Sequence, residues 1–114
     1  MGAINSLYPD IIKNLPEANV PIDGVQAWLL QGEDSQLCFF ILEEGVTVPL
    51  HSHGAQWGTV LNGELELTIS GETIVYRDGD SYFIPDGAEH TAILRKRSFV
   101  IDYFADKDRY KPKA

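Results

Sequence analysis

The 114-residue sequence predicts a small all-β barrel, and three observations carry that expectation. Short apolar-rich runs recur roughly every 8 to 12 residues and are separated by turn signals. One run, residues 64–69, alternates strictly, with Leu65, Leu67 and Ile69 on one face and polar residues on the other. Beyond residue 24 no stretch carries a helical apolar stripe, and no internal repeat is visible. The length leaves room for one core and so for one domain.

Residues 1–24 read as an irregular N-terminal segment, because Pro9, Pro16 and Pro21 interrupt any long element. At most a helical turn or two fits around Asp10 to Leu15. The barrel domain is expected over residues 25–114. A first strand covers 25–31, and Gly32-Glu33-Asp34-Ser35 turns the chain into a second over 36–42. Glu43-Glu44-Gly45 is the next turn. After the alternating strand 64–69, Ser70-Gly71 reads as a tight hairpin into 73–77. Asp78-Gly79 leads into 81–84, which stops at Pro85; strands over 91–94 and 99–104 follow, joined by the basic turn Arg95-Lys96-Arg97. That turn is most simply a solvated one.

The charge balance, 9 basic against 17 acidic residues, gives −8. So negative a surface repels phosphate backbones and anionic lipid, which argues against nucleic acid and membrane as partners. The single cysteine, Cys38, lies in the apolar run 37–42 and reads as a small core residue of a reducing compartment. No apolar run approaches the roughly 20 residues needed to span a bilayer, and no secretory leader is legible before Lys13. A cytoplasmic location is the expectation. Met1-Gly2-Ala3-Ile4-Asn5-Ser6 fits the loose myristoylation pattern, a match short enough to arise by chance.

The chemistry centres on the three histidines, His51, His53 and His90. His51 and His53 are two apart on what reads as a strand, which sends both imidazoles from one face toward a common ion. A solvent-facing pair on an edge strand is the alternative. The text around them runs from Gly45 through His51, His53, Gln56 and Gly63; after a 15-residue spacer it continues from Gly79 through Pro85, Gly87 and His90.

These stretches, 45–63 and 79–94, resemble the two motifs of the cupin superfamily: Gly-x5-His-x-His-x3/4-Glu-x6-Gly, then Gly-x5-Pro-x-Gly-x2-His-x3-Asn. The resemblance covers roughly residues 36–104 and implies a double-stranded β-helix, or jelly-roll barrel. It also implies that His51, His53 and His90 bind one divalent metal ion, which neutral nitrogen ligands leave open among Fe, Ni, Mn, Zn and Cu. Two positions depart from the pattern: Gln56 stands where the family has Glu, closer to His53 than usual, and Leu94 stands at the final Asn position. Gln56 keeps an amide oxygen that can serve as fourth ligand; the alternative is a hydrogen-bonding role in an empty barrel. A neutral ligand set would leave the ion its full charge and favour an anionic ligand. Binding is expected to fade below about pH 6, where imidazoles ordinarily protonate.

Asp102 interrupts the apolar strand 99–104 and shares a face with Val100 and Phe104. A carboxylate there is costly unless paired or functional, although an exposed position on an edge strand would also explain it. This Asp-x-Phe ending resembles small cupins of the pectin-degradation type, which implies a general acid/base role for Asp102 on unsaturated uronate products. Tyr82 and Phe83 read as core and pocket wall. Trp57 and Leu61 point away from the face of Gln56 and Val60, and apolar residues on both faces of so small a barrel imply a homodimer. The resulting expectation is a metal-dependent enzyme performing isomerisation or ring opening on a small, acidic, sugar-derived or carbonyl substrate. A non-haem dioxygenase and a non-catalytic sensing module are the other readings that the fold accommodates.

Overall fold

A computed structural model describes residues 6–114; residues 1–5, which hold most of the myristoylation-like pattern, lie outside the described residues. The strands are β1 (Val25–Gln31), β2 (Gln36–Leu42), β3 (Thr47–His51), β4 (Gln56–Asn62), β5 (Glu64–Ile69), β6 (Glu72–Arg77), β7 (Ser81–Ile84), β8 (His90–Leu94) and β9 (Ser98–Phe104). They form a five-stranded sheet, β1-β2-β9-β4-β7, and a four-stranded sheet, β3-β8-β5-β6. Every pairing is antiparallel. This is the jelly-roll barrel of the expectation, and the seven strands for which the turn signals give bounds, β1, β2 and β5 to β9, start and end within a residue of them.

Alternation explains the strands. Along β5, Leu65 and Leu67 enter the core while Glu64 and Glu66 face the other way, where Arg95 and Arg77 pair with them. Along β9, Val100, Asp102 and Phe104 are buried inside the barrel while Tyr103 faces out. The core between the sheets gathers Phe40, Val60, Leu65, Ile84, Leu94, Val100 and Phe104 among others. Cys38 is fully buried within it, and burial pushes its thiol up to about 12, so it behaves as a small apolar side chain.

The N-terminal segment contains one helical turn, α1 (Asp10–Lys13), and serves as a partial cover for the outer face of the five-stranded sheet. Tyr8 is the anchor. Its ring packs edge-on against Trp28, Phe39 and Phe99, and its hydroxyl donates to the carbonyls of Phe40 (2.8 Å) and Val100 (3.2 Å). The C-terminal tail closes the opposite rim. Buried Gln36 clamps the backbone of Tyr110 by donating to its carbonyl (2.7 Å) and accepting from its N–H (3.0 Å), and Ala18 bridges to Pro112.

Removing the Tyr8 ring opens a cavity under the cover segment and should cost about 3–4 kcal/mol. Tyr8→Phe keeps the packing, loses only the hydroxyl bonds, and should cost about 1 kcal/mol. Urea unfolding of both variants checks this; a Tyr8→Ala loss below about 1 kcal/mol would show that the segment does not hold the sheet.

Candidate metal centre

The end of β3 and the start of β8 carry the first two imidazoles. His51 and His90 stand directly opposite in the β3–β8 ladder, with ring centroids 4.2 Å apart. The register slips between Val48 and His51, where Pro49 has no N–H to give to the ladder. His53 is not on the strand, contrary to the expectation of a shared strand face. β3 ends at His51, and residues 52–55 form a connection that brings the His53 ring within 5.1 Å of His51 and 4.8 Å of His90.

This connection is held by partners from other parts of the chain. The Gly54 N–H donates to Asp106 Oδ2 (2.8 Å), the Ala105 N–H to the Ala55 carbonyl (2.9 Å), and the Gly87 N–H to the His53 carbonyl (2.9 Å). A side chain at 54 would run into the Asp106 carboxylate, and Gly87 adopts φ +76°, a conformation that glycine takes without strain. The second motif therefore locks the loop of the first.

Each imidazole uses the same device. Nδ1 of His51 donates to the Pro49 carbonyl (2.8 Å), Nδ1 of His53 to the Gly54 carbonyl (2.8 Å) and Nδ1 of His90 to the Ala88 carbonyl (2.9 Å). A carbonyl can only accept, so each ring in its neutral form carries the proton on Nδ1 and keeps the lone pair on Nε2. His53 Nε2 is buried without any partner. One nitrogen from each of the three rings lies within 4.8 Å of the others. A buried Nε2 without a partner among converging imidazoles fits a divalent ion, and the carbonyls act as the outer supports that such ligands require. Burial also pulls His51 below the ordinary imidazole range and His53 down to about 4, so protons compete for this pair at lower pH than the expected value near 6.

The opposite wall comes from the five-stranded sheet. Gln56 opens β4 and is buried; Asp102, buried on β9, accepts the Tyr82 hydroxyl at 2.7 Å and a side-chain hydrogen bond from Gln56. An ionised carboxylate can accept only the amide N–H of Gln56, so that bond does not engage Oε1. Asp102, Gly58 and Tyr82 stand in one cross-strand row, and any side chain at 58 would collide with the Asp102 carboxylate and the Tyr82 hydroxyl. Burial pushes Asp102 up to about 6, against the two hydrogen bonds that pull it down.

Arg109 is the residue that the sequence did not single out. The Gln36 clamp on Tyr110 carries it over the pocket, where its guanidinium lies 4.4 Å from the Tyr110 ring centroid and its Nε is buried without a partner. Among the described residues it joins no ion pair, unlike Arg77, Arg95 and Arg97 on the surface. The inner cavity, about 80 Å³, is lined by the three histidines, Gln56, Asp102, Tyr82 and Arg109 within an apolar surround. It adjoins a groove of about 340 Å³ that shares His51 and Arg109 with it. Tyr82 is pocket wall as expected, whereas Phe83 is 59% exposed on the outside of the barrel.

The Asp102 shift has a stability consequence in the metal-free protein. The folded state holds this proton more tightly than the unfolded chain, so its contribution is full below about pH 4 and is lost as pH rises through about 6. Asp102→Asn abolishes that loss and keeps an acceptor for Tyr82. The variant should gain up to about 3 kcal/mol over the parent between pH 4 and pH 7. Urea unfolding of chelator-treated protein at both pH values checks this; a difference independent of pH would contradict the burial of an ionisable carboxyl.

A cupin-domain family model matches residues 38–98. A comparison with curated proteins gives no match. Among solved structures, the fold is similar to an RmlC-like cupin from Shewanella frigidimarina NCIMB 400, with TM-score 0.74 and 23% identity over 84% of this chain and 87% of that one. It is similar to KdgF from Halomonas sp., with TM-score 0.69 and 23% identity over 85% and 86%. A deletion mutant of Bacillus subtilis oxalate decarboxylase OxdC gives TM-score 0.68 and 21% identity over 82% of this chain but 28% of that one. At these identities the likeness carries the fold. More than half of the chain lies within the family match, and both motifs fall inside the barrel where the family has them: the chain belongs to the cupin family.

Proposed function

We propose that the protein is a metal-dependent enzyme that performs isomerisation or ring opening on a small anionic substrate derived from a sugar acid. The observation that carries this reading is the buried Asp102 carboxyl, raised to about 6, on the wall facing three neutral imidazoles in one cavity. A carboxyl tuned toward neutrality can take a proton from a substrate carbon or hydroxyl and return it elsewhere on the same molecule. Tyr82 holds one of its oxygens at 2.7 Å and so aims the other. A divalent ion held by His51, His53, His90 and Gln56 would supply Lewis acidity at a substrate oxygen beside that carboxyl.

Arg109 supports an acidic substrate. Arg109 lines both the inner cavity and the outer groove and forms no ion pair among the described residues, and a planar guanidinium matches a carboxylate in two parallel hydrogen bonds. The substrate's carboxylate would rest there while its reacting end enters the inner cavity. The C-terminal resemblance to pectin-degradation-type cupins points to an unsaturated uronate.

The test begins with metal analysis of protein purified without an affinity tag, followed by turnover of an unsaturated uronate with that metal restored. His90→Ala should lose most of the bound metal, because it removes one member of a small ligand set; near-stoichiometric metal in that variant would contradict the three-histidine centre. Asp102→Asn should keep the metal and lose at least about a hundredfold in turnover. Arg109→Gln should keep the metal and weaken substrate binding, seen as a raised KM. Full activity in Asp102→Asn would overturn the acid/base assignment, and binding of the uronate without conversion would favour a sensing module.

A further inference from the structure

Two of the three imidazoles stand on paired strands, where the ladder fixes the backbone beneath them: His51 ends β3 and His90 opens β8. His53 has no ladder. It projects from the 52–55 connection, and connections without strand pairing ordinarily move more than the elements they join. A third ligand that must meet two fixed ones within 4.8 Å therefore needs a support of its own.

The peptide unit between His53 and Gly54 is gripped at both ends. Its N–H donates to Asp106 Oδ2 (2.8 Å), and its carbonyl accepts the Gly87 N–H (2.9 Å). The same Asp106 oxygen lies 3.8 Å from His53 Nδ1. That is too long for a hydrogen bond, so the ring proton goes to the Gly54 carbonyl at 2.8 Å and the carboxylate acts on the ring through its charge. Among the described residues, neither His51 nor His90 has a carboxylate in ion-pair range. Asp106 is itself held on both flanks. The Ala105 N–H donates to the Ala55 carbonyl (2.9 Å), and the Lys107 carbonyl accepts the side-chain amide of Gln31 (2.8 Å).

We propose that Asp106 is a positioning residue of the metal centre: its bond to the Gly54 N–H fixes the backbone from which the His53 ring is aimed at the ion. The proposal rests on the three-histidine reading of the site. A negative charge on the Nδ1 side of the ring holds the proton there and makes Nε2 the richer donor, the part that carboxylates play behind metal-bound histidines. Gly54 is what permits the contact. Its backbone lies outside the left-handed region, so the position does not need glycine for its conformation; it needs the room, because a Cβ there would run into the Asp106 carboxylate. Three positions beyond Asp106 stands Arg109, so the segment that steadies the ligand also carries the guanidinium that lines the cavity. The C-terminal tail, outside both histidine motifs, thereby becomes part of the site.

Titration of the metal-free full chain with zinc against a chelating dye tests the clasp. Asp106→Ala should weaken zinc binding at least about tenfold. Asp106→Asn keeps an acceptor for the Gly54 N–H and should stay within about threefold of the parent. Gly54→Ala leaves the carboxylate in the chain but displaces it, and should weaken zinc binding as Asp106→Ala does. A readout without metal separates positioning from loosened folding: in nitrogen-15 spectra of histidine-labelled, metal-free Asp106→Ala, the His53 resonances should move while those of His51 and His90 keep the parent's values. Zinc bound as tightly by Asp106→Ala as by the parent, or as weakly by Asp106→Asn as by Asp106→Ala, overturns the proposal. So does an unmoved His53 or a shift of all three rings together. A parent chain that takes up no zinc would instead contradict the three-histidine centre, and the metal-free spectra then still decide whether Asp106 sets His53.

Discussion

Burying polar groups between two apolar sheets is costly unless each finds a partner, and that constraint organises this protein. The three imidazoles spend their Nδ1 protons on nearby carbonyls, the Tyr82 hydroxyl goes to Asp102, and Gln36 spends both ends of its amide on Tyr110. What remains without a partner among the described residues, the His53 Nε2 lone pair and the Arg109 Nε, belongs to side chains that line one cavity. Satisfaction of the surroundings is what leaves the reactive atoms free. The glycines serve the same end, since side chains at 54 and 58 would collide with the carboxylates of Asp106 and Asp102.

The division of labour between the sheets follows from the topology. One end of the four-stranded sheet supplies His51 and His90, and the five-stranded sheet supplies Gln56, Tyr82 and Asp102 across the cavity. The imidazole cluster and the buried carboxyl therefore arrive on separate rigid walls, and their spacing is set by the packing of the barrel core. The parts that lie outside the strands, the 52–55 connection and the C-terminal tail, are tied to the barrel through Asp106, Gly87 and Gln36. A pocket built this way varies its chemistry through a few side chains while the barrel stays constant, which is why cupin neighbours as different in name as KdgF and oxalate decarboxylase share the fold.

Much of this was legible in the sequence, and the failures have physical reasons. Period-two alternation and turn residues mark strand ends closely, because glycine-bearing turns and charge reversals coincide with them in β5 and β6. The His-x-His spacing reads as a strand face, yet Pro49 breaks the ladder and His53 reaches the cluster from a loop held by the distant Gly87 and Asp106. Local spacing carries no record of such a clasp. Beside the second motif, Tyr82 and Phe83 both read as core and pocket wall, but the alternation of the short edge strand β7 puts Phe83 outside. Arg109 stayed hidden because its tail is irregular, and only the distant Gln36 decides where it lies.

The central claim is that the backbone carbonyls of Pro49, Gly54 and Ala88 hold all three imidazoles in one tautomer, with three lone pairs waiting at a common point. Nitrogen-15 spectroscopy of histidine-labelled, metal-free protein at neutral pH measures this directly. The account predicts three neutral rings protonated at Nδ1, whose Nε2 resonances move together when one equivalent of zinc or nickel is added. Rings protonated at Nε2, or Nε2 resonances that ignore the metal, would contradict it.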